Sequence, residues 1–385
     1  MKFNHTIRGK IADYGTMIFS EVSRLFNEYR AIDLSRGFPN FQQDKKLAQL
    51  IKKHVDEDRN YYLSINGHKG LRRNISAIFK DKYGIEYDPS QEITITAGAS
   101  QAIYTVLSST VRENDEVIIF EPSYDLYAPT VEINQGKPIY VKLEEHDFHI
   151  DWSKVQKLIT PNTRMIILNN PNSPTGTILK AHDLDELHRI VNGTDIMVLG
   201  DESLQFLIYD GYEHNSLARK RELAERSFIV GGFGKAFQIT GWRVGFCIAP
   251  EDLMHEFRKL HQYIAFNVNT PAQFALDEYL SGGVDFGQIS GAFGQKRDYF
   301  AQLLSDTSFE LLPVKSGMFQ PVKFPNEEGL SDKDFALKLI KEYGVAGVPL
   351  SAYLHDHSNY GIVRFCFARP QEVLDEAAQK LKLVE

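Results

Sequence analysis

The stretch GGFGKAFQITGWRVGF, residues 231–246, puts Lys235 in a glycine-rich turn and Arg243 a short way downstream. A lysine among glycines commonly marks a phosphate, because the backbone comes close to the anion and the ammonium balances its charge. A nucleotide P-loop is excluded, since its pattern needs glycine where Ile229 stands and serine or threonine where Ala236 stands. No G-x-G-x-x-G follows a strand and opens a helix, so a dinucleotide fingerprint is absent too. Other chemically capable residues have comparable settings. Gly98, Ala99, Ser100 and Gln101 end an apolar run and open a helical one, where free N–H groups seat a phosphate. Asp201 closes DIMVLGDE, as a helix N-cap or as a carboxylate that needs a cationic partner. Tyr124, in EPSYDLY, is a core or rim aromatic, or a ring that stacks on a flat ligand. Arg364 is a lone cation within IVRFCFA. It needs an anion, either a protein carboxylate or a substrate carboxylate held by two parallel hydrogen bonds.

One type of group uses all of these. A pyridine phosphate bearing an aldehyde takes a lysine to form a Schiff base and a carboxylate to keep its ring nitrogen protonated. It also takes an aromatic stack and a phosphate seat with a cation. Arg364 then holds an amino-acid carboxylate.

Such residues need elements that bring them to one edge. Short β-rich runs occur at 92–98, 116–122, 138–143, 164–171, 195–202, 227–234 and 244–250, and most of the gaps between them have helical periodicity. Continuous apolar strands alternating with helices predict an α/β fold, with a large domain built on a mostly parallel seven-stranded sheet flanked by helices. Such sheets bind ligands at the carboxyl ends of their strands, where the residues above fall. Beyond about Thr270 a long helical stretch leads to the alternating runs ELLPVK, MFQPVKF and IVRFCFA, a smaller α+β domain joined by the N-terminal segment. The expected division is 44–280 for the large domain, with 1–43 and 281–385 forming the small one.

The bulk properties narrow the partners. The chain has 385 residues, a net charge of −8 and no Lys/Arg block, which argues against nucleic acid and anionic membrane. No apolar run is long enough to span a membrane, and the N-terminus lacks a signal-peptide core. Cys247 and Cys366 lie in apolar runs and read as reduced core thiols of a cytoplasmic protein.

With LSRGFPNF, NGHKGLR, TAGASQA, FEPSYDLYAP, NNPNSPTG, FGKAFQITGWRVG, GVPLSAY and VRFCFAR taken together, the chain resembles the class I aminotransferases of pyridoxal-phosphate fold type I. The likeness is greatest to the kynurenine/methionine aminotransferase branch, and it runs over nearly the whole chain. It implies pyridoxal 5'-phosphate as cofactor. It also implies two-step, ping-pong transfer of an amino group to a 2-oxo acid through a Schiff base on Lys235. By the same likeness Arg243 binds the phosphate with Ala99 and Ser100 or Gln101, Asp201 pairs with the ring nitrogen, and Tyr124 stacks on the ring. Arg364 binds the substrate carboxylate and Gly37 adds a backbone contact. Tyr62 reaches the phosphate of the neighbouring subunit, which implies a homodimer. Ile18 and Phe19 match a segment that closes over the substrate. The branch points to a neutral hydrophobic, sulfur-containing or aromatic donor, methionine- or kynurenine-like.

Three positions depart from the family pattern. Ser173 stands where H-N-P-T-G has asparagine, Leu204 where tyrosine follows the aspartate, and Gly232 where a serine touches phosphate. The first two side chains normally donate to the ring hydroxyl of the cofactor. A hydrogen bond to a charged group is worth about 1.5–3 kcal/mol, so their loss should raise the pKa of the Schiff base. Ser173, Asn170 or a water then supplies a donor. Two alternatives stay open: a C–S β-lyase of the same fold, and a non-catalytic ligand-binding relative. The segment HDHSN, 355–359, has metal-capable residues but reads as solvated, and no metal is assigned.

Overall fold

The computed structural model describes residues 9–10, 16–41, 43–145, 147–325 and 329–384. The expectation that the N-terminus carries no signal peptide falls largely outside these residues. Among the described residues thirteen strands follow in chain order. After β1 (Ile32–Asp33) come β2 (Ile93–Thr96), β3 (Glu116–Glu121), β4 (Lys137–Lys142), β5 (Thr163–Asn169), β6 (Met197–Asp201), β7 (Ser227–Gly232) and β8 (Gly245–Ile248). The remainder are β9 (Glu310–Leu311), β10 (Phe319–Lys323), β11 (Val345–Ala346), β12 (Val348–Pro349) and β13 (Ile362–Cys366).

The strands β2 to β8 form one sheet in the order β2-β8-β7-β6-β5-β3-β4. Pairs β3–β4, β3–β5, β5–β6 and β6–β7 are parallel. Only β8 runs against its neighbours β7 and β2. The interior strands are Ile- and Val-rich and buried on both faces, as a sheet covered by helices requires. Two antiparallel steps return β2 to the direction of β7. The ends of β2, β5, β6 and β7 and the start of β8 therefore share one edge. Registers Thr96↔Gly245 and Gly232↔Gly245 bring Gly98, Lys235 and Arg243 to it.

Strands β12, β13, β10 and β9 form a second, antiparallel sheet, with Arg364 of β13 opposite Pro321 and Val348. The helix Thr16–Tyr29 packs Ile18, Val22 and Leu25 against Ile340, Ala346 and Val348, and β1 pairs in parallel with β11. The two-residue strands β1, β11 and β12 carry no readable period and are not visible in the sequence. Cys247 and Cys366 are buried and free. Among the described residues no helix is long and apolar enough to cross a membrane.

Candidate functional site

Where the carboxyl edge of the large sheet meets β10 and β13, a cavity of about 450 Å³ opens. Gly37, Gly98, Ala99, Ser100, Tyr124 and Ser173 line it, as do Asp201, Lys235, Arg243, Arg364 and Phe19. These residues lie far apart in the chain, and the strand order alone brings most of them together.

Lys235 leaves the turn after β7, and its amine donates to the Gly37 carbonyl. Burial pushes its pKa down to about 8; Arg364 and Arg243 act in the same direction, while Cys366 and Asp201 oppose it. A lysine so tuned has a neutral fraction near physiological pH, as a nucleophilic amine needs. Asp201 ends β6 and is 4% exposed. Burial raises its pKa, and the Tyr127 hydroxyl, donating to Oδ2 at 2.7 Å, works against that, with the Ser203 N–H at 3.1 Å from Oδ1 and the Lys235 charge. Tyr127 is itself fully buried, and burial with Asp201 alongside holds its pKa well up, so it remains a donor.

Gly98 has φ +82, and a Cβ there would lie 2.6 Å from Arg243 Nη2. Only glycine lets the guanidinium settle against this turn. The helix Ala99–Thr110 starts without a side-chain cap, so its first N–H groups remain open beside that cation. Arg243 is in the left-handed region at φ 54, a sparsely populated conformation for arginine that clusters at functional sites. The Ser100 hydroxyl meets the Tyr124 hydroxyl at 3.0 Å, and the Tyr124 ring meets Tyr127 edge-on at 5.7 Å. At Gly232, a Cβ would meet nothing nearer than the Gly245 Cα at 3.5 Å, so the site has room for the serine the family pattern places there.

The opposite wall is aromatic. The Arg364 guanidinium lies 3.6 Å from the Phe319 ring centre and 4.6 Å from that of Tyr353. Its Nε, buried, has no hydrogen-bond partner among the described residues. A buried cation packed against two rings, with its Nε donor unspent, suits an incoming carboxylate. Phe19 meets Tyr353 edge-on at 5.3 Å and lines the same wall.

A phosphate seat, a buried carboxylate, a ring for stacking and an amine of lowered pKa face one another. They fit a phosphorylated pyridine aldehyde.

Three expected contacts lie elsewhere. Gln101 accepts from Ala97 N–H and donates to Thr105, bracing the phosphate turn from behind rather than facing the cavity. Asn170 is 4% exposed, its amide spent on Leu179 N–H and the Asn215 carbonyl. Alternation at the end of β5 turns Asn169 to the cavity instead, where its Nδ2 donates to the Asp201 carbonyl at 3.0 Å and its Oδ1 accepts from Ser173 N–H. Ile18 packs into the cluster beneath the N-terminal helix while Phe19, one position on, faces the cavity. Tyr62 is 77% exposed on the surface of this protomer. Leu204 lines the cavity and offers no donor. Sequence reasoning missed Asn169, Tyr127, Ser203, Phe319 and Tyr353. Tyr127 and Tyr353 stand inside quoted motifs, but only the fold aims them.

A family model described as aminotransferase class I and II matches residues 29–381. The Escherichia coli K12 methionine aminotransferase is 35% identical over 97% of both chains. Mouse kynurenine–oxoglutarate transaminase 1 is 29% identical over 94% of this chain and 93% of its own. The crystal structure of Escherichia coli YbdL, with a methionine aminotransferase function, superposes at TM-score 0.94 with 34% identity, covering 98% of this chain and 99% of that one.

Proposed function

The chain belongs to the class I and II aminotransferases and is a pyridoxal-phosphate-dependent amino-acid aminotransferase, and from that premise we propose that its donor is a neutral hydrophobic, sulfur-containing or aromatic amino acid, methionine- or kynurenine-like. The observation that carries this reading is the make-up of the cavity. Its described cations are Lys235, Arg243 and Arg364, and each has a task without a side-chain carboxylate to bind, while Phe19, Tyr353, Phe319 and Met318 provide an apolar surface. The E. coli relative that acts on methionine supports the same choice.

When bound, pyridoxal phosphate supplies an electron sink that lets the substrate α-proton be removed. Arg243, Ala99 and Ser100 hold the phosphate, Tyr124 covers the ring and Asp201 keeps the ring nitrogen protonated. Arg364 with Gly37 orients the substrate carboxylate. With cofactor and substrate bound, the Lys235 amine would be the group placed to take up the substrate α-proton and hold it within the site. Ser173 and the second hydrogen of the Asn169 amide are the polar groups left for the ring hydroxyl.

Tyr61, Tyr62, Tyr263, Ile264 and Phe266 form an exposed apolar face, with Tyr62 edge-on to Phe266 at 5.1 Å. This supports a homodimer in which Tyr62 reaches the neighbouring site. The division at 44–280 and the cytoplasmic location belong to the same reading.

Absorbance of the purified protein with pyridoxal phosphate tests it. Methionine should bleach the yellow band, and a 2-oxo acid should restore it. A band indifferent to methionine, aromatic amino acids and kynurenine, or release of ammonia with pyruvate, would overturn the proposal.

A further inference from the structure

His355 lies outside the cavity in an exposed loop, yet its ring is paired with a buried carboxylate. Glu121, the last residue of β3, has its side chain 3% exposed, and His355 takes both of its oxygens. The His355 N–H donates to Oε1 at 2.8 Å, and the ring Nδ1 meets Oε2 at 2.7 Å. The imidazole lies flat on Tyr140 of β4, with centroids 3.9 Å apart and planes parallel. Just beyond, Lys142 of β4 donates to Asp356 and to Ser358, each at 2.7 Å. Just before, Ser123 N–H donates to the Tyr353 carbonyl at 3.0 Å. The segment 353–358 is thereby fastened to the ends of β3 and β4.

Tyr353 is the residue of that segment that faces the substrate. Its ring lies 4.6 Å from the Arg364 guanidinium and meets Phe19 edge-on. Most residues proposed to hold the cofactor hang from β2, β6, β7 and β8, while Tyr124 follows β3 three residues after Glu121. We propose that Glu121 and His355 are positioning residues for the amino-acid substrate: their paired hydrogen bonds, backed by the Tyr140 ring, seat Tyr353 and through it set the plane of Arg364. A buried carboxylate held by two donors of one residue defines position and angle together, which a single main-chain bond does not.

This rests on Arg364 binding the substrate carboxylate. The test uses holoenzyme with methionine and a 2-oxo acid, and wild type carries that parent reading alone. If wild type transfers no amino group, the proposed function fails. With wild type active, His355→Ala should raise the KM for methionine about tenfold, leaving kcat and the affinity for pyridoxal phosphate within about twofold. His355→Asn, which keeps an N–H toward Glu121, should recover most of the loss. Glu121→Ala combined with His355→Ala should be no worse than Glu121→Ala alone. An unchanged KM in His355→Ala overturns the positioning role. So does an equal loss of cofactor affinity, or a His355→Asn enzyme as impaired as His355→Ala.

Discussion

The two walls of the cavity are built in different ways. On the sheet side, Asp201, Lys235, Gly98 and Arg243 are placed by main-chain register, through Asn169↔Asp201, Gly232↔Gly245 and Thr96↔Gly245. On the other side β13 places only the Arg364 backbone. Its guanidinium packs against Phe319 and Tyr353, the latter in a segment held largely through the Glu121 and Asp356 side chains. Backbone ladders are cooperative and hard to shift by one substitution, whereas side-chain packing yields locally. On the proposed assignment, the cofactor-side residues sit on the more rigid wall and the substrate-side residues on the wall that single substitutions can retune.

Breaking the rigid wall has the largest expected effect. Lys235→Ala should lower turnover by about 10⁴-fold, since the proton carrier is removed, and single-turnover absorbance would show it. Arg364→Leu should raise the KM for methionine about 100-fold while pyridoxal phosphate binds as before, because two charge-assisted bonds are lost on the substrate side alone. Equal damage to cofactor affinity would erase the distinction between the walls. Tyr127→Phe takes one donor from the buried Asp201 carboxylate, and turnover should fall about tenfold with little change in KM.

Lys235 gives the rigid wall a pH signature. Its pKa in the folded chain, about 8, lies below the usual lysine value of 10.5. Between these the unfolded chain binds more protons than the folded one, so this residue makes stability of the cofactor-free protein rise with pH over that window. Below about 8 the buried amine is charged and its cost is fully present. Covalent uptake of pyridoxal phosphate needs the neutral amine, so its rate, followed by absorbance, should rise about tenfold from pH 7 to pH 9 and then level. The smallest expected effect is that of Ser173→Asn. By restoring a family donor to the ring hydroxyl, it should lower the pH midpoint of the bound cofactor's absorbance by about one unit.

Much of the rigid wall was legible in the chain. Runs such as EVIIFEP and SFIVGGFG are apolar on both faces and read as interior strands, and the polar residues that close them fall at the binding edge. Where the reading slipped, it slipped by a residue or by a direction. Asn170 was expected in place of Asn169, and Ile18 beside Phe19, because neighbours on a strand or helix point to different sides and register sets which one faces inward. Gln101 has the chemistry for the site, but the start of its helix turns it backward. His355 is exposed, as expected of its loop, but its partner Glu121 lies 234 positions away in the chain, which no local pattern shows.

The sequence by itself determined the alternation of strands and helices, the residue types at the strand ends and, through its motifs, the class of reaction. Those depend on local periodicity and on chemistry that travels with the side chain. Only the tertiary structure decided that Tyr127 supports Asp201, that Phe319 and Tyr353 grip Arg364, and that Glu121 receives His355. Such contacts join residues distant in the chain, and what brings them together is the packing of one sheet against another rather than any local pattern.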